Sequence, residues 1–282
     1  MSDVVERTEL LVPGPAEALG ALLDVPVPDL ARGAGLPLLW HWVYLLERSA
    51  QADLGQDGHP VRGTLSAPPG PGRRRMWASG RVRANGPLRC GETATRRSRV
   101  LSVEDKQGRS GPLTFVMVQH QILQRGQVVI EERQDIVYRE ASSPQGPVTS
   151  PAAAGPVVPP GDGEWAIDVS PVLLFRFSAM TYNAHRIHYD RDYARDVEGY
   201  PGLLTHGPFQ ALAMVEAARA IGAAGGTAAG GAQDFAYRLE SPLFDYQGMI
   251  VKAGREQDTT TTSVRDNHGR RTASGTLRSD RQ

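Results

Sequence analysis

The chain has 282 residues and 40% hydrophobic content, enough for one large or two ordinary domains with cores of their own, which excludes a disordered tail or a peptide. Its 31 Lys and Arg balance 31 Asp and Glu, so the overall charge draws it neither to nucleic acid nor to an anionic membrane. The single cysteine, Cys90, excludes an intrachain disulfide and a cysteine-built zinc cage, and suits a reducing compartment.

The opening MSDVVERTEL has neither signal-peptide nor transit-peptide character, and no apolar run approaches the roughly 20 residues of a membrane span. The expected location is the cytosol. Residues 15–23 predict a short helix, and 37–54 a stronger one with Leu38, Trp42, Leu45 and Leu46 at helical spacing, stopped by Gly55 and Gly58. After a Pro/Gly-rich stretch at 60–71, β-patterned runs follow at 80–83, 93–103, 113–123 and 127–138, divided by turn signals such as Lys106-Gln107-Gly108 and Arg125-Gly126. Pro, Gly, Ser and Ala then displace periodic apolar residues over 141–163, a linker between a first domain at 1–140 and a second at 164–282.

The second half repeats the order. A mixed apolar segment at 171–180 and a short polar helix at 190–197 precede a long Ala-rich helix at 207–221, with Phe209, Leu212, Val215 and Ala218 on one side. A glycine-rich loop at 222–231 leads to strands at 232–240, 249–256, 259–266 and 272–277. Helix before meander, twice, predicts an α+β fold built by internal duplication, each sheet wrapping a helix.

Three of the seven histidines, His185, His188 and His206, fall between Thr181 and Pro208. Imidazole titrates near neutrality, so a histidine beside a water-holding partner is a natural proton-transfer group, and His188 is the candidate. The bland reading is a set of polar residues satisfied by backbone. A metal held by His185, His188 and Asp190 is the weaker alternative, for no HExxH-like frame is present, and none is expected. In His206-Gly207-Pro208, proline at a first helical turn and a glycine before it leave backbone amides and the positive end of the helix dipole facing outward, suited to an oxyanion. A plain Gly-Pro helix start is the alternative. Arg73-Arg74-Arg75 followed by Met76-Trp77 offers a phosphate grip with Trp77 stacking on a base, or simply solvated charge beside a core tryptophan. No dinucleotide fingerprint, Walker A motif or nucleophile elbow occurs.

The string Phe177-Ser-Ala-Met-Thr-Tyr-Asn-Ala-His-Arg-Ile-His-Tyr-Asp-Arg-Asp-Tyr-Ala194, then Glu198-Gly-Tyr-Pro-Gly202 and His206-Gly207, resembles the MaoC-like hot-dog hydratases. It is most similar to their mesaconyl-C4-CoA and itaconyl-CoA hydratase branch, related to the type-2 hydroxyacyl-thioester dehydratases. In the first half, Leu54-Gly55, Asp57-Gly58-x-Pro60, Pro68-Pro69, Arg74-Arg75-Met76-Trp77-Ala78, Ser110-Gly111 and Val137-Tyr138-Arg139-Glu140 agree. The resemblance implies a double hot dog whose second domain carries the reactive loop and whose first is non-catalytic and lines the substrate tunnel. It implies a hydro-lyase acting on an α,β-unsaturated or 3-hydroxyacyl thioester, with no cofactor beyond the CoA or phosphopantetheine of the substrate. The broad family carries an Asp five residues before its essential His, followed by Asn-Pro. Here Asn183 stands at the Asp position and His185-Arg186 replace Asn-Pro. His188 would then serve alone as acid and base, Asn183 would orient the water, and the Gly207 N–H would hold the oxyanion. Arg186, His206, Arg74 and Trp77 are the expected substrate contacts, Arg186 either pairing with a substrate carboxylate or fixing the loop through Asp190 or Asp192. A short acyl-CoA, an acyl carrier protein thioester, or a binding module without turnover are the three functional expectations, in a monomer or homodimer.

Overall fold

The computed structural model describes residues 4–62, 65, 73–108, 111–140, 156–224 and 231–279. Most of the expected linker (141–155) and of the glycine-rich loop (225–230), and Pro68-Pro69, lie outside them. Among the described residues, ten antiparallel strands make one sheet. The first half supplies β1 (Val5–Leu10), β2 (Arg73–Ala84), β3 (Thr93–Gly108), β4 (Gly111–Gln124) and β5 (Gln127–Glu140). The second supplies β6 (Glu164–Ile167), β7 (Gln233–Leu239), β8 (Met249–Glu256), β9 (Thr259–Arg265) and β10 (Arg271–Ser279).

The strand order is β1-β3-β4-β5-β2-β7-β10-β9-β8-β6. Read outward from its centre, each half follows the same rule: second strand, fifth, fourth, third, first. Topology therefore shows the duplication that residue identities between the halves do not. The halves join where β2 pairs with β7, from Ser79 opposite Arg238 to Ala84 opposite Gln233. Gly80 is required at this seam, because a Cβ there would lie 2.6 Å from the Tyr237 hydroxyl. This is the double hot dog expected of the sequence.

Helices α1 (Pro13–Leu23), α2 (Pro171–Met180), α3 (Arg191–Asp196) and α4 (Gly207–Ala220) precede the meanders. Every residue of α4 from Phe209 to Ala218 is buried. Buried on all sides, with Gln210 and Glu216 satisfied by Thr272 and Trp40, α4 packs against β8, β9 and β10 as the core of the second hot dog.

The helix expected at 37–54 does not form. That segment holds only 3₁₀ turns, Trp40–Val43 and Gln51–Asp53, and Leu39 and Leu45 take left-handed backbone with φ of 70° and 54°. Each such residue costs on the order of 1 kcal/mol or more. Burial outweighs it: Leu39, Trp40 and Leu45 are fully buried, and Leu38, His41, Val43 and Tyr44 nearly so, which no single helical face could achieve. Trp40 reaches across to the second half, its Nε1 donating to Glu216 Oε1 at 2.7 Å. Among its described residues the first half thus has no helix equivalent to α4; α1 packs instead on α2 and the Trp40–Val43 turn. Among the described residues no helix is long and apolar enough to cross a membrane.

Candidate active site

A cavity of 890 Å³ opens between the halves, lined by residues of both. Two local structures of the second half reach it. The first is the tip of α4, where proline occupies the first turn and His206, the cap, makes no side-chain capping bond. First-turn amides, that of Gly207 included, have no intrahelical acceptor and carry the positive end of the helix dipole. A side chain at Gly207 would strike Leu239 at 2.1 Å, so glycine is what lets α4 begin this close to β7, beside the cavity that Gly207 lines.

The second is the loop after α2. Thr181 closes the helix by donating from Oγ1 to the Phe177 carbonyl at 2.8 Å, and Tyr182 turns the chain with φ of 51°. Asn183 Oδ1 accepts the His185 N–H at 3.0 Å, which leaves the Asn183 NH₂ for other partners. A 3₁₀ turn, Arg186–His188, then presents His188, whose Nδ1 lies 2.7 Å from the Leu204 carbonyl. A carbonyl only accepts, so Nδ1 carries the proton and Nε2 bears the lone pair. Burial pulls the His188 pKa down to about 3, against the Leu204 carbonyl, which raises it, and with help from His59. His188 is a neutral imidazole with a fixed tautomer.

His188, Asn183, Gly207 and Trp77 line the cavity; Arg186, His206 and Arg74 are not among its lining residues. Arg186 donates to Asp190 Oδ2 at 2.7 and 3.0 Å and to the Gln56 carbonyl at 3.1 Å, with its guanidinium over the Tyr193 ring. His206 stacks behind His188 with ring centroids 3.7 Å apart, and its Nε2 lies 2.8 Å from Ser178 Oγ. Arg74 pairs with Glu198 at 2.9 Å and donates to the Val197 and Glu198 carbonyls, fastening the halves together. Trp77 donates from Nε1 to the Tyr237 hydroxyl at 2.9 Å. Asp190 also caps α3, accepting from Tyr193 N, so it does not join His185 and His188 around a metal.

Sequence reasoning gave the first half the tunnel wall, with Arg74 and Trp77, and missed Asp57 and His59 as site residues. The loop Gly55-Gln56-Asp57-Gly58-His59 docks on the reactive loop, Arg186 N donating to the Asp57 carbonyl at 2.8 Å. His59 lines the cavity, and its ring lies 3.9 Å from that of His185. Behind it, Asp57 accepts from His59 Nδ1 at 3.1 Å and from His59 N at 3.0 Å. Burial alone would raise the Asp57 pKa; the His59 bonds outweigh it and bring it below the usual carboxylate range. Burial holds His59 and His185 below the usual imidazole range, and the nearby Arg75 charge lowers both further. The signal was present as Asp57-x-His59, read as a glycine helix stop and as part of the resemblance with no role of its own, because nothing local ties it to residues 130 positions away. Ligand-type atoms of Asp57, His59 and His185 lie within 4.8 Å of one another. The Asp57 carboxylate is already engaged by His59, and the adjacent Arg75 guanidinium favours an anion over a cation there.

Arg75 lines the same cavity, and its Nε is buried without a hydrogen-bond partner. At the far wall, on the inner face of β4 and β5, Glu132 accepts from Trp42 Nε1 at 2.9 Å and Gln134 Nε2 at 2.8 Å and pairs with His41 at 2.9 Å. Burial works to raise the Glu132 pKa; the His41 bond and charge overcome it and hold it at about 2.

The model of one family, hydroxyacyl-thioester dehydratase type 2, matches residues 39–245. The mesaconyl-C(4)-CoA hydratase of Chloroflexus aurantiacus is 45% identical over 236 residues, 82% of this chain and 79% of that protein. The HtdX structure from Mycobacterium tuberculosis superposes with a TM-score of 0.69 at 14% identity, covering 98% of this chain and 99% of that one. A MaoC-like dehydratase from Phytophthora capsici gives 0.65 at 15% identity, covering 100% and 97%. Both structural likenesses bear on the fold.

Proposed function

The chain belongs to the hydroxyacyl-thioester dehydratase type 2 family, and on that premise we propose that it reversibly hydrates a short α,β-unsaturated acyl-CoA, of four or five acyl carbons, that bears a free carboxylate. The observation that carries the reading is that a tautomerically fixed, neutral His188 and the first-turn amide of Gly207 line the same cavity.

With the thioester carbonyl against the Gly207 N–H, attack of water at Cβ pushes the double-bond electrons onto that oxygen as an enolate. One such donor is worth roughly 3 kcal/mol in the transition state. His188 Nε2 takes the water proton, a contribution of about 10²- to 10⁴-fold. Asn183, its Oδ1 committed to His185, offers its NH₂ to hold the water oxygen. The steps need no cofactor other than the carrier of the thioester. A binding module without turnover would have no need of this arrangement, and the 45% identical relative is named as a hydratase.

Arg75 supports the dicarboxylic acyl group. A guanidinium with a buried, unpartnered Nε is costly, and an incoming carboxylate offsets that cost with charge-assisted hydrogen bonds. Arg186, already bound to Asp190, fixes the loop instead. We place the activity in the cytosol, in a monomer or a homodimer.

The test is loss of enoyl-thioester absorbance with mesaconyl-C4-CoA, itaconyl-CoA, crotonyl-CoA and crotonyl carrier protein. Turnover is expected on the CoA esters, fastest on a carboxylate-bearing one. Arg75→Gln is expected to remove that preference, on the order of 10- to 100-fold, and to spare crotonyl-CoA. Turnover on the carrier protein alone would transfer the activity to carrier-bound chains, and inertness on all four would end the proposal.

A further inference from the structure

We infer that His59, oriented by Asp57, is a second proton-transfer group of the active site, serving Cα of the substrate and supplied by the half of the chain that lacks the hydratase motif. The inference rests on the hydratase reading above. Hydration moves two protons, one off the water that attacks Cβ and one onto Cα. Asn183 stands where a carboxylate would take part, and an amide neither accepts nor delivers a proton at neutral pH.

The geometry of the 55–59 loop fills that vacancy. An ionised Asp57 only accepts, so His59 Nδ1, 3.1 Å from Asp57 Oδ2, carries a proton, and Nε2 is left with a lone pair. The backbone bond from His59 N to Asp57 Oδ1 fixes the carboxylate as well. Asp57 is not among the cavity-lining residues, while His59 is, the relation of an orienting carboxylate to a working imidazole. His188 has no such counter-charge, because its Nδ1 faces a neutral carbonyl. An imidazolium is therefore better supported on His59 than on His188. The two rings flank His185, whose centroid is 3.9 Å from that of His59 and 5.3 Å from that of His188.

The proton balance closes without an external acid. In dehydration, His59 Nε2 removes the α-proton, its imidazolium held by Asp57, and the C–H electrons pass to the thioester oxygen as an enolate on the Gly207 amide. The proton moves from His59 to His188 Nε2. The enolate re-forms the carbonyl, the double bond forms, and the Cβ–O bond breaks with its electrons on the departing oxygen, which takes the proton from His188 and leaves as water. Both imidazoles end neutral, and hydration is the same path reversed. His59 is catalytic in this scheme and Asp57 positions it.

The test separates the two protons. 3-Hydroxybutyryl-CoA is incubated in D₂O, with α-deuterium followed by NMR and dehydration by absorbance. His188→Ala is expected to keep washing deuterium into Cα while failing to dehydrate; His59→Gln loses both. Asp57→Asn, whose amide would drive the His59 proton to the wrong nitrogen, slows α-exchange by on the order of 10²- to 10⁴-fold, and Asp57→Glu restores it. Because Asp57→Asn is nearly isosteric, it decides the matter if His59→Gln does not fold. Wild-type α-exchange in His59→Gln or Asp57→Asn, or its loss in His188→Ala, overturns the inference. A wild-type protein that leaves every enoyl thioester unchanged overturns the function reading instead.

Discussion

Gly58→Ala tests whether the first half truly shapes the reactive loop. Gly58 has φ of 86°, and a Cβ built on it lies 1.8 Å from the Ala184 carbonyl oxygen and 2.6 Å from its carbon. Left-handed backbone costs an alanine about 1–2 kcal/mol, and forced overpacking adds about 1–3, for a total of roughly 2–5 kcal/mol. The obstacle is backbone, so the two loops must part rather than a side chain rotate. Parting them strains the bond from Arg186 N to the Asp57 carbonyl and that from Arg186 to the Gln56 carbonyl. Thermal unfolding is expected to fall by about 4 to 20 °C, and turnover by on the order of 10²-fold, the penalty of a displacement of about 1 Å near the reacting groups. Calorimetry and the absorbance assay on one preparation measure both. A variant with wild-type melting and wild-type turnover would refute the docking argument.

His188→Ala is expected to abolish hydration with an unchanged circular dichroism spectrum, and wild-type rates would remove this ring from the mechanism. Asn183→Ala should lower kcat more than it raises KM, since it misplaces water; a change in KM alone would make Asn183 a substrate contact. Arg186→Gln removes the pairs to Asp190 and should lower turnover equally on carboxylate-bearing and plain acyl-CoA, whereas a selective loss would assign it the carboxylate. Stability should fall as pH drops below about 6.5. His59, His185, His188 and His206 are held below the imidazole value of 6.5, so the unfolded chain takes up more protons. Glu132, lowered from 4.5 to about 2, adds a contribution present above pH 4.5 and lost as pH falls toward 2. Urea midpoints at pH 7.5, 6, 5 and 3.5 read the slope, and a flat profile would contradict the buried-neutral histidines.

The strand meanders were legible because alternation and turn residues are local signals: 249–256 is matched to the residue by β8, and 127–138 lies wholly within β5. The edge strands β1 and β6 escaped notice. VERTEL offers no apolar alternation, and EWAI is four residues long, so their partners rather than their own residues define them. The false helix at 37–54 came from apolar spacing that the fold uses for burial on every side at once. His188, Asn183 and Gly207 belong to one contiguous motif and were named from it. Asp57 and Arg75 stood in the sequence without a place in the site, and His59 without a role, because only the pairing of two distant halves brings them to that motif. Of the two roles open to Arg186, the folded chain supplies the loop-fixing one through Asp190, and it gives Arg74, expected to contact substrate, Glu198 instead.

The absent counterpart of α4 has an energetic consequence. One copy of the repeat is filled by its own chain, while the other keeps a polar inner wall of His41, His120, Glu132 and Gln134 facing open space. A thioester bound in that cavity would act as a removable core. Its occupancy should raise the melting temperature with concentration, by about 2.7 kcal/mol of stabilisation at a hundredfold excess over Kd. Turnover would then alternate between a firmer, occupied molecule and a looser, empty one.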